Sequence, residues 1–288
     1  MINRDSAPVL RAVAWMGGTL ISFVLMAVAG RELSATFDTF EILAYRSMVG
    51  LVVVTALLAP SGFAAVRTSQ FGLHLVRNSV HFVGQFGWFY GIALIPLAEV
   101  VAIEFTVPIW AALLAVIMLG ERMTAAKVAA LILGTAGMLL ILRPGMRVVD
   151  PAALVVLVGA LGFSMSHVLT KRLTRRDTPL AILFYMTVLQ LPMGLLPALD
   201  DLTLPSLVHG PWLVMVGITA LSAHYCMARA FALADATVVV PMDFLRLPLI
   251  AVVGYLFYRE GLDPLLFAGA LLMLGGNYVN VRAASKAA

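Results

Sequence analysis

Apolar residues in this chain run on for about twenty positions at a time and are separated by short polar connections. Neither the two-residue alternation of a half-buried strand nor a one-sided helical stripe dominates. Ten such runs occur, at about 12–30, 39–59, 70–95, 97–119, 123–142, 151–170, 179–198, 207–232, 236–258 and 263–281. A helix needs roughly 20 mainly apolar residues to cross a bilayer. The pattern therefore predicts an all-α polytopic membrane protein with ten transmembrane helices. The runs divide into two sets of five, residues 1–142 and 143–288. Five is odd, so if one set enters the bilayer from the cytoplasm, the next enters from the other side. The halves are expected to fold as two inverted five-helix repeats.

Aligning the halves supports that division. A shift of 140 places Phe23 on Phe163, Leu33 on Leu173 and Ile42-Leu43-Ala44-Tyr45 on Ile182-Leu183-Phe184-Tyr185. A shift of 139 places Gly91-Ile92-Ala93-Leu94 on Ala230-Phe231-Ala232-Leu233, Glu104 on Asp243, and Gly120-Glu121 on Arg259-Glu260. Paired acids and tyrosines at preserved spacing carry more weight here than matches between leucines.

Composition fits the same class, with 62% hydrophobic and 12% charged residues against about half and a quarter in soluble domains. The connections are too short to bury a separate soluble core. No glycine-rich nucleotide loop of the Gly-x-x-x-x-Gly-Lys-Ser/Thr kind occurs, which excludes a pump with its own ATPase and calls for no cofactor. The single cysteine, Cys226, lies inside the eighth run. Neither an intrachain disulfide nor a Cys-rich metal site is expected.

The pI near 9.5 reports orientation rather than nucleic-acid binding. Arg4, Arg11, Arg67, Arg122, Lys127, Lys171, Arg172, Arg175, Arg176, Arg229, Arg282 and Lys286 fall on one side, against Arg31, Arg143, Arg147 and Arg259 on the other. The positive-inside rule then places both termini in the cytoplasm. Arg4 and Arg11, an apolar run and Ala27-Val28-Ala29 have the look of a secretory signal, but the run is longer than the usual apolar region of one and has a partner in the second half.

Pro108-Ile109-Trp110-Ala111-Ala112-Leu113-Leu114, followed by Leu119-Gly120-Glu121-Arg122, resembles the fourth-helix motif of ten-helix EamA-type members of the drug/metabolite transporter superfamily. Arg46 in run 2 and Leu133-Gly134 with Gly137 in run 5 fit the same pattern. The second half departs from it, with Pro248 one residue late and Arg259-Glu260 replacing Gly-Glu. The resemblance spans essentially the whole chain. It implies export of metabolites across a bacterial inner membrane, amino acids foremost, and suggests the YddG-type aromatic amino acid exporters as subgroup.

Polar side chains inside a bilayer usually face the bundle interior or a water-filled cavity. In run 3, Asn78, His81, Gln85 and Trp88 follow spacings of three, four and three, which puts them on one helical stripe. The repeat offset carries Gln85 onto His224 in run 8. Cavity lining accounts for such a stripe better than interhelical hydrogen bonds of about 0.6 kcal/mol each. Run 1 presents Trp15, Thr19, Ser22 and Met26 on a similar stripe, and run 6 presents Gly159, Gly162 and Ser166 with Phe163 and His167 alongside. Those glycines read as close-packing sites, and Trp15 and Phe163 as candidate aromatic walls.

Charge is sparser. Glu104 in run 4 and Asp243 in run 9 are repeat equivalents, and Arg246 stands three residues after Asp243. A pseudo-two-fold axis brings both acids toward Arg246, as a substrate and coupling network or as a structural clamp between halves. Arg246 or a protonated histidine would take the carboxylate of an amino acid, and Glu104 or Asp243 its ammonium. Arg46 lies near the start of run 2, with Asp38 and Glu41 nearby, and is expected to snorkel to the outer interface. Arg77 and Arg229 read likewise as orienting residues near the cytoplasmic ends. Prolines in runs 4 and 9 flank the acids, so helix breaks matter most there.

The function expected is secondary transport of a small molecule, an amino acid above all, by alternating access, with two complete halves letting the chain work as a monomer. A multidrug or cationic-compound exporter of the same fold is the alternative. An enzyme is not expected. Ser164 and His167 in Gly162-Phe163-Ser164-Met165-Ser166-His167 share a helix face, whereas nucleophile and base usually come from separate elements.

Overall fold

The computed structural model describes residues 7–61, 64–95, 100, 103–142, 150–258 and 264–287, and every regular element among them is helical. Arg4, Arg143, Arg147, Arg259 and Glu260 lie outside the described residues. In chain order the α-helices are α1 (Ala7–Leu33), α2 (Thr39–Leu58), α3 (Phe71–Leu94), α4 (Val107–Leu119), α5 (Ala125–Leu142), α6 (Pro151–Leu173), α7 (Pro179–Ala198), α8 (Gly210–Leu233), α9 (Ala236–Val239), α10 (Arg246–Tyr258) and α11 (Pro264–Ala287).

Local chemistry fixes several of these boundaries. Asp38 caps α2 in a capping box closed by Glu41. Asp150 and Thr178 cap α6 and α7, each followed by a proline at the start of the helix, where the missing N–H costs nothing. Gly120 ends α4 at φ 70°, a conformation that a side chain would strain.

Runs 4 and 9 are interrupted rather than continuous. In run 4 the helix at 103–104 turns at 105–106 before α4 begins. Pro108 has no N–H for the carbonyl of Glu104, and Thr106 Oγ1 caps Ile103 O at 2.7 Å. In run 9 a 3-10 segment, Val240–Leu245, separates α9 from α10. Pro241 cannot bond the Thr237 carbonyl, which accepts from Asn280 Nδ2 of α11 at 3.2 Å instead. Segments covering α1, α2, α6, α7 and α8 are each long and apolar enough to cross a membrane, and α4 and α5 are shorter apolar helices. The breaks in runs 4 and 9 and the polar stripe of α3 account for three of the five runs that differ from the uniform pattern.

Helix packing maps onto itself when the halves are exchanged. The closest pairs are α1 with α8, α3 with α6, α5 with α11 and α2 with α7. The repeat offset turns the α1–α8 pair into α6–α3 and leaves the other two unchanged. Small residues permit the crossing of α3 and α6: a Cβ on Gly87 would stand 2.6 Å from Val155 O, and one on Gly162 2.6 Å from Val80 O. The paired tyrosines are matched latches. Tyr45 donates its hydroxyl to Thr203 O at 2.6 Å, beyond α7, and Tyr185 donates to Val66 O at 2.8 Å, beyond α2.

Candidate functional site

The two helix breaks bring their acids together. Arg246 Nη2 lies 2.6 Å from Glu104 Oε1 and 3.0 Å from Asp243 Oδ2. The guanidinium also sits over the rings of Phe23 and Phe105, 5.1 and 5.6 Å from their centroids. Trp88 donates its indole N–H to the second Glu104 oxygen at 2.8 Å. Phe105 and Phe244, each following its repeat's acid, stack at 5.7 Å. All three charged groups are buried, and two carboxylates against one guanidinium leave a formal charge of −1 when all are ionised. Two short contacts are what such burial demands.

A cavity of about 20 Å³ adjoins this centre, lined by Phe23, Met26, Gln85, Trp88, Phe89, Glu104, Val107, Phe163, His167, His224, Asp243 and Arg246. That is room for about one water molecule, far short of the roughly 300 Å³ or more of small-molecule pockets. As placed here the lining leaves no room for a metabolite, so binding one requires the helices to move apart. Lengthwise from the cavity runs a second buried network. Arg46 Nη2 donates to Gln85 Oε1 at 3.0 Å and Gln190 Oε1 at 2.9 Å. Gln190 Nε2 reaches His81 Nδ1 at 2.8 Å and Asn78 Oδ1 at 3.3 Å, and Arg77 donates to Asn78 Oδ1 and Thr170 Oγ1 at 2.7 and 3.0 Å. His81 packs edge-on to His224 at 4.5 Å and Phe163 at 5.7 Å.

The model of the EamA-like transporter family matches residues 10–143 and again 150–282. The chain belongs to the EamA-like transporter family. It is 23% identical over 265 residues to an S-adenosylmethionine uptake transporter of Rickettsia prowazekii, covering 92% of this chain and 90% of that one. It is 30% identical over 246 residues to a riboflavin transporter of Brucella anthropi, covering 83% and 86%. A pseudopaline exporter of Pseudomonas aeruginosa is 27% identical over 256 residues, covering 88% and 89%. A solved crystal structure shares the fold at a TM-score of 0.80 with 19% identity over 98% of each chain. This EamA-like chain is thus a multi-pass membrane transporter with a two-repeat fold. None of these relatives is named for aromatic amino acids, so the narrower likeness to YddG-type exporters finds no support.

Of the residues singled out in the sequence, Gln85, Trp88, Phe163, His224, Glu104, Asp243 and Arg246 line one cavity, and His81 backs it. Asn78 does not line it; its side chain bridges Arg77 and Gln190. Trp15 stands elsewhere, edge-on to Tyr225 at 5.8 Å with Arg229 5.3 Å over its ring; of its stripe Thr19 and Ser22 meet α8 and only Met26 reaches the cavity. Arg46 does not snorkel. It is 3% exposed and held by two glutamines, since seven residues beyond the helix start place it about 10 Å deep. Arg77 is buried in the same way. Phe89 and Val107 carry no sequence signal that marks them as cavity residues; Gln190 carries one, an uncompensated carboxamide inside an apolar run. Ser164 Oγ donates to Ala160 O at 2.7 Å and Val107 O at 3.2 Å, so it serves the backbone and does not pair with His167 as a nucleophile would.

Proposed function

We propose that this EamA-like transporter is a secondary carrier for a small metabolite bearing a cationic amine, an amino acid or a molecule built on one. The observation that carries the reading is the buried Glu104–Arg246–Asp243 centre at two helix breaks, facing a cavity walled by Phe23, Trp88 and Phe163. Its formal charge of −1 leaves it one cation short, and a substrate ammonium supplies that charge. The aromatic walls suit a flat or ring-bearing remainder. S-adenosylmethionine, named for the Rickettsia relative, combines an α-amino group, a sulfonium and an aromatic base, and fits the same description.

The carrier is proposed to span a bacterial inner membrane ten times with both termini in the cytoplasm. It works as a monomer whose halves, residues 1–142 and 143–288, are inverted repeats. Alternating access then follows from symmetry: releasing the Tyr185 latch opens one side of the cavity, and releasing the Tyr45 latch opens the other. Without a nucleotide site transport follows a gradient, either the substrate's own or that of a proton or second solute moved with it. The residual negative charge also favours a second reading, a carrier of cationic compounds lacking any carboxylate.

Uptake into liposomes of phenylalanine, S-adenosylmethionine and tetraphenylphosphonium, by wild type and Glu104→Gln protein, tests the proposal. Saturable uptake of an amino-bearing metabolite is expected, reduced about tenfold or more in the variant because one charged hydrogen-bond partner is lost. Uptake of tetraphenylphosphonium alone selects the second reading. Undiminished uptake by Glu104→Gln contradicts the site itself.

A further inference from the structure

The network behind Gln85 has more donors than acceptors. Arg46 and Arg77 bring two full positive charges into the bundle, and among the described residues no carboxylate lies within ion-pairing distance of either. Their partners are neutral: the carboxamides of Gln85, Gln190 and Asn78 and the hydroxyl of Thr170. Arg46 Nη1, fully buried, has no partner at all.

His81 repeats the imbalance. Its Nδ1 faces the Gln190 amide nitrogen at 2.8 Å and its Nε2 faces the Gln85 amide nitrogen at 3.5 Å. Both amide oxygens are committed to Arg46, so both amide nitrogens point donors at the ring. A neutral imidazole accepts at one nitrogen only, and whichever tautomer is present, one ring N–H is aimed at another donor. Flipping either glutamine relieves the ring and sets an NH₂ group against Arg46 instead. With the side chains placed as they are, neither amide flip satisfies the cluster, and burying an uncompensated guanidinium in a bilayer protein is costly. The missing group is an acceptor with negative charge.

Its position is set by Gln85, which touches Arg46 on one side and lines the cavity beside Glu104 on the other. We infer that Arg46, with Gln85 as a movable cover and His81 beside it, is an anion subsite that takes the carboxylate of a substrate whose ammonium rests on Glu104 and Asp243. This rests on the amine-site reading above and narrows it to zwitterions. The carboxylate goes to Arg46 and not to Arg246, whose guanidinium already holds two carboxylates.

The test is binding to purified full-length protein, read by thermal stabilisation, of amino acids paired with their decarboxylated amines: phenylalanine and phenethylamine, tryptophan and tryptamine, histidine and histamine. At least one amino acid is expected to bind wild type about ten- to a hundredfold more tightly than its amine, the range of one charged hydrogen-bonded contact. Arg46→Gln should collapse that ratio toward one, and Arg46→Lys should retain part of it. Chloride and acetate at the same concentrations serve as controls, and stabilisation by either that equals the amino acid's means a free counter-ion occupies Arg46 and overturns the inference. Amines binding as tightly as their amino acids to wild type also overturn it, while leaving the amine site standing. Should neither member of any pair bind, the amine-site reading fails together with it. The wild-type comparison needs no variant to fold.

Discussion

Two clusters of buried charge neighbour one cavity in this EamA-like transporter and are balanced by opposite means. Arg246 is met by two carboxylates at contact distance. Arg46 and Arg77 are met only by amides and a hydroxyl. Neutral dipoles satisfy hydrogen-bond geometry without cancelling net charge, so the first cluster carries a net negative charge and the second a net positive one. The contrast separates a centre one cation short, suited to an ammonium, from a cluster with an excess of positive charge, suited to a carboxylate.

Removing the cation from the first cluster should have the larger effect. Arg246→Ala leaves two carboxylates buried together without a counter-charge, and loss of a buried partner costs about 3–5 kcal/mol. Thermal unfolding in detergent should show that loss, and transport should vanish. Adding Glu104→Gln and Asp243→Asn should recover most of the stability without restoring transport. The same change of sign in the second cluster should behave differently. Arg77→Met removes an uncompensated charge and leaves Asn78 and Thr170 each one donor short, a cost of about 1–3 kcal/mol that the relief of burying no charge offsets in part, so its unfolding cost should be less than that of Arg246→Ala. Equal costs would erase the distinction between the clusters. Trp88→Phe keeps the ring and loses one charge-assisted hydrogen bond to Glu104, which leaves the carboxylate less well placed and is expected to weaken substrate binding by about tenfold. A titration of substrate binding measures it.

Most of the architecture was legible in the sequence because bilayer thickness forces a length on each apolar run. Runs 2, 3 and 7 were placed within one residue of the helices observed, at Thr39–Leu58, Phe71–Leu94 and Pro179–Ala198. The convergence of Glu104, Asp243 and Arg246 was legible too, since an internal duplication relates positions across 139 residues that no local pattern connects. The second cluster was not, and the reason is specific. Arg46 lies opposite Met186 in the repeat alignment and Gln190 lies opposite Gly50, so symmetry says nothing about either. An arginine near acids at a helix start also reads as interfacial until its depth is counted in turns. Trp15 misled in the opposite sense, because a stripe defines a face without saying which neighbour that face meets.

Trp88 offers the most direct test of the central claim, that substrate binds between the acids of the two helix breaks and the aromatic wall. The chain has four tryptophans, and replacing Trp15, Trp110 and Trp212 with phenylalanine leaves Trp88 alone as reporter, its indole N–H on Glu104. Titrating that protein with the amino-bearing compound transported best in liposomes should give a saturable change in emission whose midpoint matches the transport KM, and Glu104→Gln should abolish it. A midpoint unrelated to KM, or an unchanged response in Glu104→Gln, would contradict the account.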